Sequence, residues 1–284
     1  MSLVIFGYGY SSQHFAQAYG ARYAPVLATV RDPARAMKLT SEACEVVAFG
    51  ESIDARIAPA LAHAEHLLIS APPEANGDPV LLRFKDAIAQ SKIKRIVYLS
   101  TIGVYGDHGG AWIDEATPCA PTNERSRWRL KAEADWLQLG AHVLRLSGIY
   151  GPGRNVFANL RAGTAKRIIK PGQVFNRIHV EDIARAISAC FESNLPGRVW
   201  NVTDDEPAAP QDLVTHAAEL MGVAPPPEQD FATAALSPMA RSFYGECKRV
   251  ANRALKEELG VTLAYPTWRE ALPALYASGE GQAD

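Results

Sequence analysis

Short apolar runs recur along the first 150 residues, and their spacing constrains the fold more than any other feature of the sequence. Each run has the length of a buried strand and is rich in Val, Ile or Leu, and amphipathic stretches separate the runs. Strands that alternate with helices predict right-handed crossovers and a parallel sheet with helices on both faces. The runs are LVIF (3–6), VLATV (26–30), VVAF (46–49), HLLIS (66–70), RIVYLS (95–100) and HVLRLS (142–147).

The pattern changes after residue 150. GPGRN and KPGQVFNR are turn-rich, RVWNVT at 198–203 is a candidate seventh strand, and most of what remains is helical. We therefore predict a doubly wound α/β fold, a Rossmann fold of about seven strands, with a smaller, mostly helical C-terminal domain. The predicted boundaries are 1–150 with 176–203 for the sheet domain and 151–175 with 204–284 for the helical domain.

Local signals set three further expectations for the second part of the chain. A helix should begin near Glu181 or Asp182, because an acidic residue favours the positive end of a helix dipole. KRVANRALKEELG at 248–260 should form a helix that ends at its glycine. The tail GEGQAD at 279–284 should be disordered.

Charge and cysteine spacing argue against several classes of function. A net charge of -2 gives no case for nucleic acid or an anionic membrane as the main partner. The four cysteines form no CxxC pair, so we expect free thiols, a cytoplasmic location and no metal site. The opening MSLVIFGYG lacks the features of a signal peptide, and no segment approaches the ~18 apolar residues of a membrane span.

The first apolar run leads directly into GYGYSS at 7–12, a pattern typical of a phosphate-binding turn. The first glycine of G-x-G-x-x-G permits a tight turn, and the second lets the backbone approach a pyrophosphate at the N-terminus of the next helix. Serine takes the place of the third glycine. The sequence therefore predicts a dinucleotide site that includes Gly7, Tyr8, Gly9, Tyr10, Ser11 and Ser12.

Arg31 ends the second predicted strand, where an NAD site would have an acidic residue for the ribose 2′-hydroxyl. An arginine suits a 2′-phosphate, because it makes charged hydrogen bonds. Asp32, which follows Arg31, is an acidic residue that could serve NAD, so NAD remains the less favoured alternative. NADP is the predicted cofactor. After the fourth strand, the segment Ser70, Ala71 and Pro72 should lie where a dinucleotide crosses the sheet edge.

These segments together resemble the short-chain dehydrogenase/reductase superfamily in its extended, epimerase/dehydratase-like form. The resemblance rests on GYGYSS, YLSTIGVYG (98–106), RLSGIYGPG (145–153), IHVEDIARAI and VWNVTDDEP. It implies that the sheet domain binds NAD(P), with Ser147 at the cofactor, and that the helical domain binds a small-molecule substrate. It also implies that Thr101 forms a hydrogen bond with the reacting oxygen of the substrate. Extended members of the superfamily often form homodimers, so a homodimer is an expectation here as well.

The family's catalytic helix bears Tyr-x-x-x-Lys, and here that helix reads ERSRWRLKAEADW. The preferred register places Arg129 at the lysine and Arg125 at the tyrosine, and the alternative places Lys131 and Arg127 there. The tyrosine is absent in both registers, so the resemblance is to the superfamily's atypical branch. Arginine stays protonated near neutrality and cannot cycle a proton, although it can bind a ribose, a phosphate or an oxyanion. The arginines could instead face solvent or pair with acidic neighbours.

Another group would then have to donate the proton. Tyr105 is the first candidate, and Tyr150, His179 and Tyr244 are further ones. Arg154 and Arg241 are candidates for binding anionic groups of the substrate.

Two hypotheses follow. The first is an NADP-dependent oxidoreductase or epimerase/dehydratase-like enzyme that acts on a small polar substrate, with a nucleotide sugar as one option. The second is a catalytically silent NADP(H)-binding sensor or regulatory protein, which the missing tyrosine favours.

Overall fold

A seven-stranded parallel sheet forms the centre of the protein in this computed structural model, which describes residues 2–282. All six apolar runs and the seventh candidate are strands of this sheet, so the predicted fold class is confirmed. The strands of the sheet are β1 (Leu3–Phe6), β2 (Val26–Val30), β3 (Glu45–Ala48), β4 (His66–Ile69), β5 (Arg95–Thr101), β7 (His142–Leu146) and β11 (Val199–Val202).

Helices cover the sheet and extend beyond it. They are α1 (Tyr10–Tyr19), α2 (Pro33–Leu39), α3 (Ile57–His63), α4 (Leu81–Ala89), α5 (Glu124–Gln138), α6 (Val156–Arg161), α7 (Val180–Glu192), α8 (Pro210–Leu220), α9 (Pro238–Phe243), α10 (Arg253–Glu257) and α11 (Trp268–Ala277). Short parallel pairs lie outside the sheet: β6 (Trp112–Ile113) with β13 (Arg249–Val250), β8 (Gly148–Tyr150) with β10 (Arg177–His179), and β9 (Arg167–Ile169) with β12 (Glu228–Asp230).

Both faces of the sheet are buried, because successive side chains of each strand point to opposite faces. On one face, Ile5 belongs to the core that includes Phe15 of α1 and Ile183 of α7. On the other, Phe6 belongs to the core that includes Leu61 of α3 and Trp136 of α5. This packing accounts for the near-continuous apolar character of the runs.

The strand order is β11-β7-β5-β4-β1-β2-β3, so the direction of winding reverses between β1 and β4. These two strands pair in parallel with Phe6 opposite Ile69. The segments that follow them therefore diverge at the same edge of the sheet. In open α/β sheets such a reversal opens a crevice at the carboxyl ends of the strands, where ligands bind.

A third core lies beyond the sheet and joins α6, α8 and α11 through Phe157, Ala217 and Trp268. Because this core is built from residues outside the central sheet, it supports the predicted division into two domains, which we retain as a proposal. The expectation of a disordered tail is wrong for 279–282, because the Glu280 carboxylate accepts hydrogen bonds from the Gly153 N–H and the Asn155 amide. Residues 283–284 of that prediction lie outside the described part of the chain.

The helix predicted over 248–260 is also corrected. Only Arg253–Glu257 is helical, and Arg249–Val250 is a strand that pairs with β6. The side chain of Asn176 receives a hydrogen bond from the Val250 N–H and donates one to the Lys248 carbonyl, which holds this segment extended. Tertiary partners thus override a helical sequence pattern. Helix α7 begins at Val180, one residue before the earlier of the two predicted starts.

Within residues 2–282, no helix combines the length and hydrophobicity needed to cross a membrane. The same range contains no group of three or more His, Cys, Asp or Glu side chains arranged to hold a metal ion.

Helix α5 is fixed to the sheet by a buried ion pair. Arg145 of β7 donates from Nη2 to Oε2 of Glu133 (2.7 Å), and its Nε lies 3.2 Å from both carboxylate oxygens. Ser100 of β5 donates its hydroxyl to the same carboxylate. Glu133 is 1% exposed and Arg145 is 5% exposed. The pair therefore sets how α5 sits over the ends of β5 and β7.

Replacing Glu133 by glutamine should leave the Arg145 charge buried without its counter-ion. We expect the free energy of unfolding to fall by about 3–5 kcal/mol, measured by chemical denaturation. Glu124→Gln, on the exposed first turn of the same helix, is the matched control and should change it by less than about 0.5 kcal/mol. A loss below about 1 kcal/mol for Glu133→Gln would show that the pair does not anchor α5.

Candidate functional site

The turn after β1 is closed by hydrogen bonds that the sequence motif did not reveal. The Ser12 hydroxyl donates to the Gly7 carbonyl (2.6 Å) and accepts from the Gly9 N–H (3.0 Å). The first helical bond of α1 runs from the Gln13 N–H to the Gly9 carbonyl (2.8 Å). The N–H groups of Tyr10, Ser11 and Ser12 consequently have no acceptor within the helix, the arrangement that suits a bound anion.

The two glycines of the turn serve different purposes. Gly7 has a φ of +90°, and a Cβ there would lie 2.6 Å from the Ala71 nitrogen, so this position allows only glycine for steric reasons. A Cβ on Gly9 would meet nothing within 4 Å. Gly9 thus borders open space in front of α1, which fits close approach of a dinucleotide phosphate. Tyr8 differs from expectation, since its ring is 8% exposed in the core and only its backbone remains near the turn.

A groove of ≈ 740 Å³ lies beside this turn at the carboxyl ends of β1, β2 and β4. Of the predicted cofactor residues, Gly7, Arg31, Ala71 and Pro72 line it, and Ser70 directly precedes Ala71. Sequence reasoning missed Glu74 and Arg83. The residues that line the groove include Gly7, Thr29, Arg31, Ala71, Glu74 and Arg83.

Arg31 stands at the edge of the groove with 68% of its side chain exposed, and its Nη2 lies 3.3 Å from Oε1 of Glu74. The carboxylate of the neighbouring Asp32 already forms a hydrogen bond with the backbone. It accepts the Ala34 N–H (2.9 Å) as the N-cap of α2. The acidic residue that complicated the choice between NADP and NAD is therefore a helix cap.

Two hydroxyl groups meet at the carboxyl end of β5. Thr101 Oγ1 accepts the Gly103 N–H (3.1 Å). A Cβ on Gly103 would lie 3.4 Å from that oxygen and 3.0 Å from Ser126 Oγ, so the two hydroxyls flank this glycine. Sequence reasoning missed Ser126, although it lies three residues before Arg129 and so shares its face of α5.

Arg129 faces the sheet. Its Nη1 donates to the Leu99 carbonyl (2.9 Å) and the Tyr98 hydroxyl (3.2 Å), and the guanidinium lies 5.5 Å from the centre of the Tyr98 ring. The alternative for these arginines is exposure to solvent or pairing with Glu133 and Asp135, and of these two acids Glu133 binds Arg145 instead. The cations that are exposed on α5 are Arg125, Arg127 and Lys131.

Tyr105 is placed for packing, which counts against its predicted role as proton donor. Its side chain is fully buried, its hydroxyl donates to Oδ1 of Asn201 (2.7 Å), and Arg145 lies 4.6 Å from the ring centre. Burial raises the pKa of Tyr105 to about 12. Without a movement of the core, this hydroxyl cannot reach a substrate.

A second group of predicted residues meets near the loop after β8. The Tyr10 hydroxyl donates to the Pro152 carbonyl (2.9 Å), and Arg154 lies 5.7 Å from the centre of the Tyr10 ring. Arg154 is therefore beside the cofactor turn. Tyr150 packs edge-to-face on His179 with 5.3 Å between ring centres, and burial lowers the pKa of His179 to about 4, so this imidazole is neutral at pH 7.

Other predicted residues lie apart from the groove. Ser147 donates its hydroxyl to the Val202 carbonyl (3.2 Å), which ties it to the end of β11. Arg241 donates to the carbonyls of Phe231 and Ala234 and stacks on the Phe231 ring at 4.9 Å, so its charge is engaged within its own segment. Tyr244 is buried against the same ring, with 5.1 Å between centres.

Comparisons with known proteins show an NAD(P)H-binding domain. A family model described as NAD(P)H-binding matches residues 9–194. A 3-diazoavenalumate denitrifying reductase from Streptomyces is 29% identical, over 90% of this chain and 93% of that protein. The chain spans 66%, about two thirds, of the length of the Escherichia coli relatives it matches at 29% identity.

Solved structures share the whole fold. A conserved protein of unknown function from Silicibacter pomeroyi is 46% identical, with a TM-score of 0.91 over 98% of this chain and 99% of that one. A UDP-glucuronic acid 4-epimerase from Bacillus cereus in complex with NAD is 15% identical, with a TM-score of 0.76 over 98% of each chain. At 15% identity, the likeness to the epimerase shows only a shared fold.

Gly9→Ala tests whether the open space in front of α1 is where a dinucleotide binds. The new methyl group meets no protein atom, so the unfolding free energy should change by less than about 0.5 kcal/mol. The affinity for NADPH, followed by fluorescence titration, should fall roughly tenfold or more because the backbone can no longer approach the phosphate. Gly7→Ala is the contrasting variant and should destabilise the fold through its 2.6 Å overlap with Ala71. Unchanged affinity in Gly9→Ala would place the phosphates elsewhere.

Proposed function

The chain belongs to the NAD(P)H-binding family, and we propose that it is an NADP(H)-dependent oxidoreductase that reduces a small polar substrate. The Streptomyces relative is named as a reductase and matches over nearly its whole length, which supports reduction over epimerisation. A nucleotide sugar is a second substrate class, supported by the fold shared with the sugar epimerase. The cytoplasmic location and the homodimer stay predictions of the sequence.

The observation that carries the preference for NADP is the arrangement at the end of β2. Arg31 is exposed at the groove while Asp32 caps α2, which supports the cation rather than the acid as the partner of the ribose. The residues that would hold the dinucleotide are the turn 7–12 with Arg31 and the segment 70–72. Gly9 leaves the space that a phosphate needs.

A bound nicotinamide cofactor would supply hydride to the substrate. The residues around the end of β5 then act on the charge that develops there. Arg129 is held by the Leu99 carbonyl and can stabilise a developing anion, and the hydroxyls of Thr101 and Ser126 can donate hydrogen bonds to it. Since arginine does not release a proton near neutrality, solvent would provide the proton. Such a site favours substrates whose reduction produces a stabilised anion.

A silent NADP(H) sensor is the second candidate, and one observation favours it. Neither candidate position supplies an acid: Arg125, in place of the family's tyrosine, does not release a proton near neutrality, and the Tyr105 hydroxyl is buried. A sensor needs the groove but not the arrangement at the end of β5.

Arg31→Ala tests the cofactor assignment. Loss of charged hydrogen bonds to a 2′-phosphate should weaken NADPH binding about 10–100-fold and change NADH binding less than about twofold. Arg35→Ala, an exposed cation on α2, is the matched control and should leave both affinities unchanged. Equal loss of NADPH and NADH affinity in Arg31→Ala would contradict a phosphate-binding role.

Turnover separates the enzyme from the sensor. We expect the wild-type protein to consume NADPH with at least one member of a panel of carbonyl, diazo and nucleotide-sugar compounds, followed by absorbance at the reduced nicotinamide band. Arg129→Met should lower kcat by about 10²–10³, because a preorganised cation is lost, and Arg125→Met should stay within about threefold. Tight NADPH binding with no consumption across the panel would instead establish the sensor.

A further inference from the structure

The contact between Arg31 and Glu74 passes over the groove. Arg31 follows β2, Glu74 comes after β4, and these strands flank β1 on either side. The two side chains meet at 3.3 Å between Nη2 and Oε1. Both residues line the same groove as Gly7, which begins the turn at the end of β1. The pair therefore lies across the edge where the adenosine half of a dinucleotide would bind.

Local backbone structure presents Glu74 to this position. Pro72 and Pro73 restrict the φ angles of the segment that leaves β4. Glu74 and Gly77 exchange two backbone hydrogen bonds, of 2.9 and 3.0 Å, which close a tight turn. Gly77 has a φ of +126°, a conformation that other residues rarely adopt. The carboxylate thus stands on a constrained turn.

The Glu74 carboxylate can be replaced at Arg31 by another anion at low cost. The side chains of Arg31 and Glu74 are 68% and 52% exposed, and exposed ion pairs contribute little net free energy. A phosphate that reached Arg31 would offer more charge and more acceptor oxygens than one carboxylate. A ribose 2′-hydroxyl is neutral and would offer much less. The carboxylate would also repel a 2′-phosphate that bound without displacing it.

We propose that Glu74 is a specificity-determining residue that occupies Arg31 in the free protein and exchanges with the 2′-phosphate of NADPH. This inference rests on the proposed NADP(H)-dependent function. Glu74 lowers the affinity for NADPH, because the 2′-phosphate must displace the carboxylate from Arg31 before it can bind there. The neutral ribose hydroxyl of NADH does not displace the carboxylate, so Glu74 changes the affinity for NADH little. The carboxylate therefore reduces the preference for NADPH that Arg31 confers.

The test is a direct binding titration, by intrinsic fluorescence and calorimetry, of NADPH and NADH to the full chain. Glu74→Gln should bind NADPH about three- to tenfold more tightly and NADH no more than about twofold more tightly. The gain for NADPH should shrink at 0.5 M salt, because exposed charges are screened. Glu42→Gln removes an exposed acid that does not line the groove and should change both affinities by less than about twofold.

The double variant Arg31→Ala/Glu74→Gln tests whether Glu74 acts through Arg31. We expect Glu74→Gln to give a smaller gain for NADPH in the Arg31→Ala background than in the wild type. An equal gain would overturn the exchange, since Glu74 would then act through its charge alone. Unchanged NADPH affinity in Glu74→Gln would overturn it as well. Weaker NADH binding in that variant would show instead that Glu74 holds the ribose hydroxyls.

These outcomes differ from a failure of the proposed function. If Arg31→Ala leaves NADPH affinity unchanged, or if the wild-type protein binds neither dinucleotide, the cofactor assignment and this inference fall together. If the wild-type protein prefers NADPH through Arg31 and Glu74→Gln has no effect, only the inference about Glu74 fails.

Discussion

The ion pair between Glu133 and Arg145 is the interaction on which the candidate active site depends. It joins α5 to β7 where both side chains are almost fully removed from water, and Ser100 adds a bond from β5. A buried charge cannot be left unpaired without a large cost, so the rotation of α5 about its own axis is constrained. That rotation directs one of its four neighbouring cations, Arg129, toward the sheet.

The consequence for chemistry is a site with a fixed cation and hydroxyl groups in place of a titrating acid. Arg129 is anchored by a backbone carbonyl and an aromatic ring, and Thr101 and Ser126 flank Gly103 nearby. Such groups stabilise charge without exchanging protons near neutrality. Under the proposed function, these groups stabilise the anion that the missing tyrosine would otherwise protonate.

The candidate cofactor groove depends on backbone geometry and exposed charge instead of a buried ion pair. The turn after β1 needs glycine at position 7 because β4 is close, and it leaves space at position 9. Ser12 completes the turn by hydrogen bonding where the motif has a third glycine. Around the rim, the pair of Arg31 and Glu74 is exposed, and exposed ion pairs contribute little net free energy, which is why we propose that a 2′-phosphate can replace the carboxylate.

The sequence by itself determined the strands, the parallel sheet and the position of the cofactor turn, because strand length, apolar character and glycine spacing are local properties. It also predicted roles for Arg31 and Arg129, which the structure places at the rim of the groove and against β5, and those roles stay predictions. Only the tertiary structure decided that Asp32 is a helix cap, that Tyr105 is buried, and that Arg249–Val250 is a strand instead of part of a helix. Each of these depends on partners distant in the sequence or on a neighbour's exact placement in space. Glu74 and Ser126 became visible for the same reason: β4 and α5 bring them beside Arg31 and Gly103, and no local pattern encodes those contacts.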